Sequence, residues 1–255
     1  HQLFVAARDA RAALEQIRRF EDENAEAQPP DDRLELRAGF RAGAAIWSLA
    51  LAGLYVAERL GAGGLPWKPT GEAQAAAIRA GELWRALTAL GLHADLAHLA
   101  GNVLFGALFV GAICQSAGIG AGLLLTLLSG ALGNLAAAFL REGTGTSVGA
   151  STAVFGALGL LAALQWRRRR RRRASALRRW TPIVAAALLL GYLGASGARV
   201  DVLGHVTGFV CGLAVGATIE PRLERRPGGS AAQAAQGLVA ASLVAGAWIW
   251  GFLRA

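Results

Sequence analysis

The sequence predicts an all-α membrane protein: a core of six apolar helices, a seventh helix at the C-terminus, and a short soluble segment in front. Three observations predict it. Hydrophobic residues make up 54% of the 255, with a mean hydropathy of +0.41. Charged residues still make up 17%, so they must be gathered into blocks, and they are. Between the blocks run apolar stretches of about 17–25 residues, the length that crosses a hydrocarbon layer of roughly 30 Å. An ordinary soluble domain is excluded on these grounds.

Residues 1–42 read as a soluble cytosolic segment and linker. Residues 3–7 have the pattern of a short strand. Residues 10–24 have helical spacing, with Ala13, Leu14, Ile17 and Phe20 on one face. Pro29-Pro30-Asp31-Asp32 breaks the chain. The first residue is His and the chain has no Met, so the natural start is expected further upstream. The first span is expected at 44–60. A long connection, 61–94, follows with Pro66, Trp67, Pro69 and Trp84; Trp favours the membrane–water boundary. Further spans are expected at 95–114 and 119–140. A Gly-rich loop, 141–149, precedes spans at 150–166, 181–195 and 202–219. Residues 43–220 form the core, and 221–255 a linker with a seventh span at 234–253.

The net charge of +9 rests on arginine, since Lys68 is the single lysine. Arginines cluster at three places: Arg33, Arg37 and Arg41 before span one, Arg167–Arg173 with Arg178 and Arg179 after span four, and Arg222, Arg225 and Arg226 after span six. Even numbers of spans separate them, so the positive-inside rule puts all three, and the N-terminus, in the cytoplasm. An arginine run between two spans anchors topology and predicts no nucleic-acid partner. Ser151 lies about 15 residues before the arginine block, about 22 Å along a helix. That leaves it below the outer surface, and His205 enters from the same side. The Arg and Ala bias points to a GC-rich bacterial genome and hence to the inner membrane. Cys114 and Cys211 read as packing residues, with no disulfide.

Polar side chains in such surroundings are costly and mark candidate sites. Ser151, in Gly149-Ala-Ser151, stands where a Gly-rich loop turns into a helix with free N–H groups, which could hold an oxyanion; capping or packing is the plain alternative. His205 heads a ladder of Gly204, Gly208 and Gly212, which permits close approach to Gly156 and Gly159 of span four. That would bring its imidazole to Ser151 as a general base; a cross-helix hydrogen bond is the alternative. His98 and Asn102 share a helical face as donors, or tie two spans together. His93, one turn further up and nearer water, would brace the loop. A His93–His98 metal pair lacks a third ligand besides His205, so neither metal nor cofactor is expected. Phe155 could pack on the His205 ring. Asp201 reads as a helix start or surface charge ahead of an orienting partner for the imidazole.

Taken together, His93-x4-His98-x3-Asn102, Gly149-x-Ser151-x3-Phe155-Gly156, His205-x2-Gly208-x3-Gly212 and Trp84-Arg85 resemble the rhomboid family of intramembrane serine proteases, over about residues 40–220. The resemblance implies a Ser151–His205 dyad without an obligate aspartate. It implies an oxyanion site from His98, Asn102 and the Ser151 N–H, with Trp84 and Arg85 shaping the long loop. It implies single-pass transmembrane protein substrates in the lipid bilayer, cut near the outer boundary at a small residue. The sequence departs from the family at Thr152 (usually Gly), Gly204 (usually Ala) and Gln115 (near a frequent Glu); the seventh span occurs in some members. The expected function is a serine endopeptidase, against a catalytically silent rhomboid-like binding or quality-control factor. A proton-relaying transporter is disfavoured because no internal repeat is visible.

Overall fold

The computed structural model describes residues 10–25, 38–194, 201–218 and 229–254, in two units, 1–36 and 37–255. In the first unit α1 (Ala10–Ala25) is a single helix, as its apolar spacing predicts. Residues 3–7 and 29–32, read as a strand and a linker, lie outside the described residues.

The second unit is built from α2 (Ala38–Arg59), α3 (Leu96–Ala117), α4 (Ile119–Leu140), α5 (Ser151–Arg171), α6 (Ala176–Gly194), α7 (Val202–Thr218) and α8 (Ser230–Arg254). Each falls on a predicted span. Four of them, α2, α3, α4 and α8, are long and apolar enough to cross a membrane, and α7 is a shorter apolar helix. Their outward faces carry exposed Leu49, Leu104, Leu132 and Phe139, as lipid contact requires. The chain is an all-α, multi-span integral membrane protein.

Helix ends differ from the sequence reading for identifiable reasons. Five of the arginines expected in a loop, Arg167 to Arg171, continue α5. Arginine is a good helix former, and cations suit a helix C-terminus. The stop comes at Arg173, with a φ of 53°. Helix α6 begins at Ala176 and takes Pro182 inside. Proline has no N–H for the Arg178 carbonyl four residues earlier. Arg169 Nη1 donates to that carbonyl instead, at 2.7 Å. Helix α3 starts only at Leu96, because the Asp95 carboxylate accepts the His98 N–H at 2.8 Å as an N-cap. His93 is therefore not a turn further up that helix, nor near water. It sits in irregular chain and is 3% exposed.

Glycine sets the packing. Helices gain no hydrophobic drive from one another in lipid, so close backbone contact between small residues has to hold them. A Cβ on Gly208 or Gly212 of α7 would collide with the carbonyl oxygens of Thr152 and Gly156 on α5, and one on Gly159 with that of Phe209. The ladder read from the sequence therefore joins these two helices. Cys114 is buried where Gly43 and Gly122 leave room for it, and both cysteines are free.

The 61–94 connection is a docked, largely helical segment. Buried Arg85 holds it together, with Nε donating to Glu82 at 2.6 Å and Nη1 to the carbonyls of Pro69 at 2.7 Å and Glu72 at 3.0 Å. Asn134 Nδ2 of α4 donates to the Ala86 carbonyl at 2.9 Å. Arg79 donates to the carbonyls of Ala138, Arg141 and Gly143 at 2.6, 3.0 and 2.7 Å, satisfying the orphan end of α4. A short antiparallel pair, β1 (Ala73–Gln74) with β2 (Thr146–Ser147), sets Ala73 opposite Ser147. This ties the long connection to the loop that precedes Ser151.

Candidate active site

Ser151 is the first residue of α5. The turn before it depends on Gly149, whose φ is 131°, a value that L side chains rarely adopt. A Cβ there would also come within 2.6 Å of His98 Cε1. The Gly149 N–H donates to the Ala89 carbonyl at 2.9 Å, so the long connection fixes the turn. His205 lies in the first turn of α7, 7% exposed. The glycine ladder brings the two helices close enough that His205 Nε2 lies 2.9 Å from Ser151 Oγ. Phe155, one turn below Ser151, packs on the His205 ring at 4.5 Å between centroids, tilted by 41°.

Both groups line a cavity of about 740 Å³ together with His98, Asn102, Phe155 and Asp201. Asn102 Nδ2 donates to the His98 carbonyl at 3.0 Å, and the Asn102 carbonyl accepts the Trp47 indole N–H at 3.1 Å. An Asn side chain has two N–H donors, so this bond still leaves one for the cavity.

His93 does not reach the cavity. Its Nε2 accepts the Ala150 N–H at 3.5 Å, one residue before Ser151, and its ring stands edge-on to His98 at 5.2 Å. Burial, reinforced by the neighbouring His98 and partly offset by the Gly91 backbone, pushes the His93 pKa down to about 4. The ring is thus neutral, as an acceptor must be, and this nitrogen is occupied rather than offered to a metal.

Asp201 starts α7. Its carboxylate accepts the Gly204 N–H at 2.9 Å and pairs with Arg141. Burial alone would raise its pKa, but the nearby Ser147 hydroxyl, the Gly204 N–H and the Arg141 guanidinium outweigh that and hold the carboxyl below its ordinary value. Of the two readings of this residue, the helix start is the one observed.

Several residues that shape the site were not singled out in the sequence. Asn134, inside an apolar span, carried a usable signal as an intramembrane polar residue. Arg79, Arg141, Ser147 and Trp47 carried none, because their partners are distant in sequence.

Fold and cavity define a class: a multi-span helical membrane protein with a serine hydroxyl and an imidazole in hydrogen-bond reach. The rhomboid-domain family model matches residues 80–222, more than half of the chain, and the protein belongs to the rhomboid family. It is similar to rhomboid-like protease 1 of Toxoplasma gondii, at 33% identity over 155 residues, covering 59% of this chain and 52% of that one. Rhomboid-like protease 3 of the same organism is 32% identical over 160 residues, covering 62% and 59% respectively. The Bacillus subtilis (strain 168) relative YdcA is 26% identical over 160 residues, covering 63% and 79%. The chain thus spans little more than half the length of the two Toxoplasma relatives.

Proposed function

We propose that the protein is an intramembrane serine endopeptidase that cuts single-pass transmembrane proteins near the outer membrane boundary. The observation that carries this reading is the 2.9 Å approach of His205 Nε2 to Ser151 Oγ inside the cavity. The Ser151 oxygen attacks the peptide carbonyl carbon while its proton passes to neutral His205, which then delivers that proton to the leaving amine. Water then attacks the acyl-enzyme carbonyl as His205 takes its proton, and His205 returns that proton to Ser151 Oγ as the ester bond breaks. The oxyanion is held by the Ser151 N–H at the helix start, the His98 ring and the Asn102 amide. Gly149, having no side chain, leaves room for the His98 ring, Phe155 packs against the imidazole, and His93 braces Ala150.

In this reading all six core helices within residues 43–220 cross the membrane, and α8 adds a seventh crossing. The basic loops and the N-terminus face the cytoplasm of a bacterial inner membrane, and water reaches the dyad from outside. A substrate helix must unwind first, because its peptide bonds are already hydrogen-bonded, and Gly or Pro in the substrate eases that step.

The test is labelling of the purified protein with a fluorophosphonate. Labelling is expected in the wild type and should vanish in both Ser151→Ala and His205→Ala. Undiminished labelling of Ser151→Ala would remove the nucleophile. No labelling of the wild type would favour a silent membrane-protein binding factor.

A further inference from the structure

Ser151 and His205 sit on different elements, so their separation depends on whatever holds the 141–150 loop against the start of α7. We propose that Asp201 is a positioning residue: a single carboxylate that latches the serine loop and the histidine helix together. The inference rests on the Ser151–His205 reading above.

Asp201 lies four residues before His205. Its backbone carbonyl accepts the His205 N–H at 3.0 Å, and its Oδ1 accepts the Gly204 N–H at 2.9 Å. These two bonds fix the first turn of α7, where the imidazole is mounted. The same carboxylate pairs with Arg141, which follows α4, and shares the cavity wall with Ser147, whose hydroxyl helps to stabilise its charge. Ser147 is four residues before Ser151 and is held from behind by its pairing with Ala73. Arg141 is held in turn, its carbonyl accepting from Arg79 at 3.0 Å. The absence of a side chain at Gly204 makes room for this arrangement: a Cβ there would come within 2.6 Å of Asp201 Oδ2. The Asp201 side chain lines the cavity, but its bonds run to the walls on either side of the reacting pair. A half-buried, charge-assisted set of this kind resists displacement more than neutral bonds do, and small misplacements of reacting groups are costly in rate.

The roles of cap and latch separate by substitution. Asn caps a helix about as well as Asp, so Asp201→Asn keeps the Gly204 bond and loses the ion pair. Arg141→Gln loses the same pair from the other side, and Ser147→Ala removes the hydroxyl alone with little risk to folding. In full-length protein, the maximal rate of fluorophosphonate labelling should fall about 10-fold in Asp201→Asn and Arg141→Gln. The half-saturating probe concentration should stay within about twofold. The double variant should be no slower than either single one, because both remove one interaction. Amide hydrogen exchange over residues 145–150 should rise in all three single variants. Wild-type maximal rates in Asp201→Asn and Arg141→Gln overturn the proposal even if thermal stability falls, since Asp201 would then be a structural cap. Unchanged exchange over 145–150 overturns it as well. Labelling that survives Ser151→Ala strikes the protease reading instead, and exchange still reports on the latch.

Discussion

His93 and Ala150 stand 57 positions apart, yet the Ala150 N–H points at His93 Nε2. A protonated ring would have no lone pair to offer there. The folded chain therefore keeps His93 neutral down to about pH 4, while an unfolded histidine protonates near 6.5. Between those values the unfolded state binds the extra proton. The stability owed to the neutral ring is thus full above pH 6.5 and is lost as pH falls towards 4, a change of roughly 3 kcal/mol at 1.36 kcal/mol per pKa unit. The thermal midpoint in detergent should fall further between pH 7 and pH 4.5 in the wild type than in His93→Gln. Equal falls would exclude His93 as a source of acid sensitivity. At this scale the sequence showed which polar residues to watch, because His, Ser and Asn are conspicuous in apolar stretches. It misplaced His93 because the Asp95 cap, not the apolar pattern, decides where α3 begins.

The contact between α5 and α7 places the candidate pair. Its glycines were legible as a four-residue ladder, and the structure adds that Gly208 and Gly212 each face a backbone carbonyl of α5. Gly212→Ala puts a methyl group onto the Gly156 carbonyl oxygen, where rigid backbone cannot yield as a side chain would. A loss of about 1–3 kcal/mol is expected, read as a lower thermal midpoint, together with slower labelling of Ser151. A wild-type midpoint would mean that the helices tolerate separation. Two departures from the family pattern meet at the same contact. A Cβ on Gly204 would lie 3.1 Å from Thr152 Oγ1, so the larger residue on α5 faces the smaller on α7. Spacing could not reveal that pairing, because it depends on the rotation of one helix about the other.

Across the whole second unit, α8 braces the long connection. Gln233 near its start donates to the Ala117 carbonyl and accepts the Ala121 N–H, both at 3.1 Å, bridging the junction of α3 and α4. Near its other end Trp248, 5% exposed, packs on Trp67 at 4.8 Å and on Phe252 at 5.2 Å between centroids, and fills the space left by Gly71. Trp84 lies over Gly251. Trp248→Ala should cost about 3 kcal/mol, as loss of a buried aromatic does, and should slow Ser151 labelling, because the braced segment carries β1 and the Ala89 carbonyl that hold the serine turn. A lowered midpoint with wild-type labelling would confine α8 to stability. The sequence alone determined where the helices lie, which residues face apolar surroundings and which polar groups were worth following, because hydropathy and 3.6-residue spacing are local properties of the chain. The tertiary structure decided that Ser151 Oγ and His205 Nε2 meet, that Asp201 joins their supports, and that Arg79, Asn134 and Trp248 dock the long connection. Those facts come from the rotation and depth of helices packed against one another, which no local pattern records.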